Sequence, residues 1–238
     1  MKNLHILYIS LMVGIASIFG CASIQQAVPN VPPEVQNVQH KLKKMKEVAG
    51  RKVVKWDPSA LFFDDFNKYP LGVVAPFGPW KNINTDAHIE KGVQPDKSVG
   101  NILKAGGGIL MLNYSFKYFT LEFNFKVEPL EKQLRVYFLL NGDATAGYYV
   151  DKDWGGSPVT LNKFAGSTQM QIAQSSGFEV SGDWNYGKIR VTPSSIEVYV
   201  NGTKYIDMPN NDPSLQEGAI GLAGPNLYYD NIKITPIK

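Results

Sequence analysis

The side chains of this 238-residue chain best suited to hold a ligand lie close together in sequence: Arg135, Tyr137, Tyr149, Asp151 and Trp154. A sugar presents an apolar C–H face and a rim of hydroxyls, so aromatic faces beside planar polar groups recognise it. Arg135 and Tyr137 are two apart and share one side of an extended strand. The run Tyr148-Tyr149-Val150-Asp151 follows, and Asp153-Trp154-Gly155-Gly156 reads as an exposed loop. The competing use of these aromatic side chains is core filling. Other chemistries find little support. The three histidines, His5, His40 and His88, are scattered, and the single cysteine, Cys21, permits neither an intramolecular disulfide nor a thiolate metal cluster. There is no Gly-x-Ser-x-Gly, no phosphate-binding glycine loop and no His-Glu-x-x-His. Net charge is +3 with 24 basic residues spread along the chain, apart from a short run over 41–46, so the footprint of a nucleic-acid binder is missing.

The composition indicates what must position these residues. Hydrophobic residues make 44% of the chain and aromatic residues 12%, cut up by 22 glycines and 15 prolines, which reads as an all-β protein. The clearest strand is 119–128. Phe119, Leu121, Phe123, Phe125 and Val127 point one way, and Thr120, Glu122, Asn124, Lys126 and Glu128 form the opposite, solvated face. Residues 134–140 are apolar on both faces and predict a central strand. Further strands are expected at 147–150, 159–164, 169–173, 187–192, 196–200, 204–208, 219–223 and 227–235. Pro193-Ser194-Ser195 joins one hairpin, and Asn201-Gly202 offers a type I′ turn for the next. Ala105-Gly106-Gly107-Gly108 reads as a bend. Upstream, Val35, Val38, Leu42, Met45 and Val48 recur at spacings of three and four, which predicts one amphipathic helix over 34–50.

The N-terminus carries Lys2, then an apolar run from Leu4 to Phe19, then Ile18-Phe19-Gly20-Cys21. This resembles a secretory signal ending in the bacterial lipobox, with Phe19 bulkier than the residue usual at that place. The resemblance implies cleavage before Cys21 and lipidation of its thiol, palmitate included, with acyl chains that anchor the protein to a membrane. It would be the outer membrane in a cell that has two, because Ala22 follows the cysteine. Three segments are therefore expected: a signal peptide over 1–20, a lipid-anchored linker and helix over 21–54, and a sandwich domain over 55–238.

The stretch 183–235 resembles the C-terminal half of the concanavalin A-like lectin/glucanase jelly rolls. Trp184 opens a hairpin, and Glu197-Val198-Tyr199-Val200-Asn201-Gly202-Thr203 is similar to that family's strand and turn. Gly218-Ala219-Ile220-Gly221-Leu222 is similar to its next strand, and Tyr229-Asp230-Asn231-Ile232-Lys233-Ile234 to its last. Leu61 to Phe66 followed by Trp80 is similar to its opening. Laminin G-like modules, family 16 glycosidases and the 3-keto-glycoside hydrolase-like domain share this β-sandwich, and the resemblance places Trp80 and Trp184 in packing roles. Family 16 enzymes set paired carboxylates on one strand face. Here Asn124 stands where the central Asp belongs, and Glu122 and Glu128 would lie about 20 Å apart on an extended strand. No catalytic residues are assigned on this basis. The resemblance also implies a structural Ca²⁺ held by Asp65 and Asp230, against a reading in which Asp64, Asp65 and Asp230 fix edge turns. The expectation is a lipid-anchored, non-catalytic glycan-binding module of the cell envelope. The alternatives are a 3-keto-glycoside hydrolase and a structural protein that docks an envelope partner.

Overall fold

The computed structural model describes residues 51–128, 133–153, 157–177, 182–225 and 227–237. The signal peptide, Cys21, the helix expected over 34–50 and Trp154 lie outside them. The described chain is all-β, with sixteen strands in order: β1 (Phe62–Asp64), β2 (Trp80–Ile83), β3 (His88–Val93), β4 (Val99–Lys104), β5 (Ile109–Leu112), β6 (Phe116–Lys117), β7 (Phe119–Val127) and β8 (Gln133–Leu140). They continue as β9 (Ala146–Asp153), β10 (Pro158–Ala165), β11 (Thr168–Gly177), β12 (Asn185–Val191), β13 (Ser195–Val200), β14 (Thr203–Pro209), β15 (Glu217–Ala223) and β16 (Leu227–Pro236). One sheet runs β14-β13-β12-β7-β16-β4-β3 with β1 also on β16; the other runs β11-β10-β9-β8-β15-β5-β2 with β6 on β15. We call them the first and second sheets.

The core lies between them. Phe119, Leu121, Phe123, Phe125 and Val127 of β7 are all buried, and so are Leu134, Val136 and Phe138 of β8. Alternation alone produces this: burying every second residue commits the rest to the outer face. The expected hairpins form. Thr192 Oγ1 accepts the amides of Ser194 and Ser195 and closes the β12–β13 turn. Asn201 and Gly202 take φ of 47° and 80° between β13 and β14, the left-handed conformation that a type I′ turn requires. The strands over 80–117 were not legible, because their short mixed runs follow no clean period.

The opening of the domain is fixed by a carboxylate. Asp64 is buried and accepts from Tyr69 Oη (2.7 Å), Trp80 Nε1 (2.9 Å) and the Phe66 amide (3.0 Å). Trp80 is therefore both core and hydrogen-bond donor.

The outer face of β7 differs from expectation. It is not solvated: Glu122 and Asn124 are buried there, because residues 52–54 lie against it. The Asn124 side-chain amide behaves as a strand partner, accepting from the Val54 amide (2.9 Å) and donating to the Lys52 carbonyl (2.7 Å). Val54 is buried, so the packed unit begins before residue 55. Glu122 receives Lys52 Nζ, Lys233 Nζ and Tyr186 Oη, each at 2.6 Å. Burial pushes its carboxyl up, but the hydrogen bonds from Lys233, Lys52 and Tyr186 outweigh that and bring it down to about 2. Glu128, meanwhile, accepts from Tyr228 Oη (2.6 Å).

Removing the charge of Glu122 strands Lys233, which is itself buried. Glu122→Gln is expected to lower the unfolding free energy by about 3 kcal/mol at neutral pH. Because the folded carboxyl titrates below its unfolded value, this stabilisation is complete above about pH 5 and drains as pH falls toward 2. Urea unfolding of both proteins across that window should give a flatter pH dependence for the variant; parallel curves would refute the assignment.

Candidate functional site

The paired strands β8 and β9 bring the candidate ligand residues together on the outer face of the second sheet. Arg135 stands opposite Asp151, and Tyr137 opposite Tyr149. Their spacing of two on each strand puts all four on one side. Arg135 Nη2 donates to Asp151 Oδ2 at 2.7 Å. The guanidinium carbon lies 5.1 Å from the Tyr149 ring centre, and the Tyr137 and Tyr149 rings are 5.3 Å apart. The fifth residue expected here, Trp154, lies outside the described residues.

Several neighbours escaped the sequence reading. Phe164 of β10 packs edge-on to Tyr137 with ring centres 5.8 Å apart and lies 6.0 Å from Tyr149. Asn162 stands opposite Tyr149 across β9–β10 and donates to Thr160 Oγ1. Gln169 accepts from Tyr149 Oη at 2.8 Å. The period-two position of Asn162 and Phe164 was the available signal; what it lacked was the pairing of β10 to β9. From these rings an apolar strip continues over Leu140, Ala219 and Met111. Gly221 lies beneath it, where an added Cβ would fall 2.6 Å from Ile109 Cγ2 and 2.9 Å from Leu140 Cδ1. A bare backbone at this point lets the strip close over β15.

The electrostatics favour a fixed ion pair. Burial opposes the charge on Arg135, but Asp151 outweighs it and holds the guanidinium above its ordinary value. Burial likewise pushes the Tyr137 and Tyr149 hydroxyls up, against the pull of Arg135. Arg135 and Asp151 keep 30% and 20% of their side chains exposed, so a ligand can reach them. Arg135 Nε and Asp151 Oδ1 are nevertheless buried without a hydrogen-bond partner. An unsatisfied group of that kind costs about 1–3 kcal/mol. The face thus combines an aromatic floor, a cationic donor and a carboxylate acceptor.

The Asp65–Asp230 pair lies on the other sheet. Asp230 is fully buried; one oxygen accepts from the Asn231 amide (2.8 Å) and the other from Gln94 Nε2 (3.3 Å). Asp65 accepts from the Asn67 amide (3.2 Å). Ca²⁺ takes six to eight oxygens. Among the described residues no three acidic, histidine or cysteine side chains gather so as to hold a metal ion, and N–H donors already occupy Asp230. The donor set as it stands does not fit calcium.

Residues 76–235 match the family model of the 3-keto-alpha-glucoside-1,2-lyase-like domain. An uncharacterized protein of Methanocaldococcus jannaschii is 29% identical over 180 residues, spanning 74% of this chain and 80% of that protein. Among solved structures, the carbohydrate binding module CBM66 from Bacillus subtilis aligns at 16% identity and a TM-score of 0.52, covering 66% of this chain and 95% of the module. A Bacillus subtilis protein of unknown function with a galectin-like fold aligns at 11% identity and a TM-score of 0.51, covering 76% and 97%. At these identities the structural likeness establishes the jelly-roll fold.

Asp230 also sets a pH dependence. Burial, with the nearby charges of Asp65 and Asp96, pushes its carboxyl up to about 8, against hydrogen bonds from the Asn231 amide and Gln94. The folded state therefore keeps a proton that the unfolded chain releases near pH 4, and stability falls as pH rises from about 4 to about 8. Asp230→Asn should remove that fall. Thermal midpoints at pH 5 and pH 9 should differ by several degrees less in the variant, and an unchanged difference would refute this.

Proposed function

This chain belongs to the 3-keto-alpha-glucoside-1,2-lyase-like domain family, and on that premise we propose that it binds a glucoside at the cell envelope through the outer face of the second sheet. The observation that carries the reading is the register of β8 and β9, which sets the Arg135–Asp151 pair against the Tyr137–Tyr149 floor. The rings meet the C–H face of a pyranose, and the guanidinium and carboxylate serve adjacent hydroxyls. The lipid on Cys21 holds the domain at the membrane, outer in a two-membrane cell.

A second reading follows from the family match together with the Asp151 carboxylate, which is 20% exposed beside Arg135. In a 3-keto-glucoside the carbonyl acidifies the proton on C2. Asp151 takes that proton, the C–H electron pair forms a C1–C2 double bond, and the C1–O glycosidic bond breaks. The departing alkoxide takes a proton from water. Arg135 supplies positive charge for the electron-rich carbonyl oxygen in the transition state.

Calorimetry with glucosides and 3-keto-glucosides tests the site. Tyr149→Ala and Arg135→Ala should each weaken binding at least about tenfold, the loss of a stacking or charge-assisted contact. Undiminished affinity in both variants would sink the assignment. Asp151→Asn separates the two readings: it abolishes turnover of a 3-keto-glucoside if Asp151 is the base, and merely weakens binding otherwise. For the anchor, Cys21→Ser should move the protein from the membrane fraction to the soluble one and end labelling by palmitate. Retention of label in that variant would place the lipid elsewhere.

A further inference from the structure

On the other sheet, a cleft of about 360 Å³ opens where the N-terminal segment meets the β3–β4 hairpin. Its lining is of two kinds. One is aromatic: Trp56, 66% exposed, a large surface left to water. The other is polar: Asp65, Asn67, Gln94 and Asp96. Asp65 and Asp96 each use a single oxygen to cap their own turn, on the amides of Asn67 and Ser98, with the Ser98 hydroxyl adding a second bond to Asp96. Among the described residues no hydrogen bond or ion pair holds the Oδ2 of either, nor Nδ2 of Asn67. Gln94 is tied in place by Asn67, the Asn101 carbonyl and Asp230, so this polar lining is preset. Two acceptors and an amide donor thus line the same cleft as an exposed indole.

We propose that this cleft is a second binding site, for a neutral pyranoside, distinct from the face bearing Arg135 and independent of the reading given for it. A pyranose ring has one face of C–H groups and a rim of hydroxyls, and the lining holds an aromatic surface for the first and polar groups for the second. Its volume falls in the range of small-ligand pockets, about 300–1,000 Å³. A divalent cation fits less well, because it calls for six to eight oxygens, whereas Lys55 and Trp56 are among the residues that line the cleft. With two sugar sites on opposite sheets, the domain would bridge two glycan segments or grip one chain twice, with the gain that multivalency brings.

The test uses the full chain with maltose, cellobiose and trehalose. Calorimetry should give a site that Trp56→Ala removes or weakens at least tenfold, whatever Arg135→Ala does to binding. In an Arg135→Ala background the remaining binding should disappear with Trp56→Ala. Trp56→Phe, which keeps a ring, should restore most of it. Sugar should also shift the backbone amide resonances of residues 94–98, a readout independent of the indole. Asp96→Asn, a surface change at the same cleft, provides a variant whose folding is not in question. Unaltered stoichiometry and affinity in Trp56→Ala would overturn the proposal. So would resonances at 94–98 that no sugar moves, or a cleft that responds to Ca²⁺ alone.

Discussion

Everything in this sandwich follows from one constraint: the aromatic stripe of β7 must be buried against Leu134, Val136 and Phe138 of β8. A strand has only two faces. Committing one to the core fixes which residues look out, and a slip of a single register would exchange them. The stripe therefore specifies the outer positions as strictly as the inner ones. On β7 it delivers Glu122 and Asn124 to the outside; on β8 it delivers Arg135 and Tyr137.

The two outer faces then diverge. The first sheet is covered by residues 52–54, which the Asn124 amide holds as though it were a neighbouring strand. Beneath that cover Glu122 meets two lysines and a tyrosine, so a charge that would be costly alone is paid for by three partners. The cluster closes around the carboxylate, which its three donors hold low. The second sheet differs. Its ion pair is part-exposed, with a donor and an acceptor that no described residue satisfies, and its apolar strip reaches across neighbouring strands to Met111. The contrast is local: the carboxylate under residues 52–54 has its partners within the chain, whereas the Arg135–Asp151 pair keeps part of its surface open to water.

The same contrast separates the acidic residues near the domain's opening. Asp64 is buried with every near donor aimed at it and locks the turn after β1. Asp230 is equally buried but lies in the field of Asp65 and Asp96. Its carboxyl rises where that of Glu122 falls, because no cation offsets its burial and the charges of Asp65 and Asp96 add to it. Residue type did not distinguish these three carboxylates. Their neighbours did.

The sequence by itself determined the all-β class, most strands from residue 119 onward, both late hairpins and the grouping of Arg135, Tyr137, Tyr149 and Asp151. All of these rest on local rules: alternation with period two, turn residues with fixed φ, and residues two apart sharing a face. The tertiary structure alone decided that Phe164, Asn162 and Gln169 complete that group, since they reach it across β9–β10 and β10–β11 pairings. It alone decided that Glu122 is covered, since the covering segment is about seventy residues away in the chain. Spacing reports neighbours along the chain, whereas strand pairing and burial depend on which distant segments meet. That meeting is fixed by the packing of the whole core.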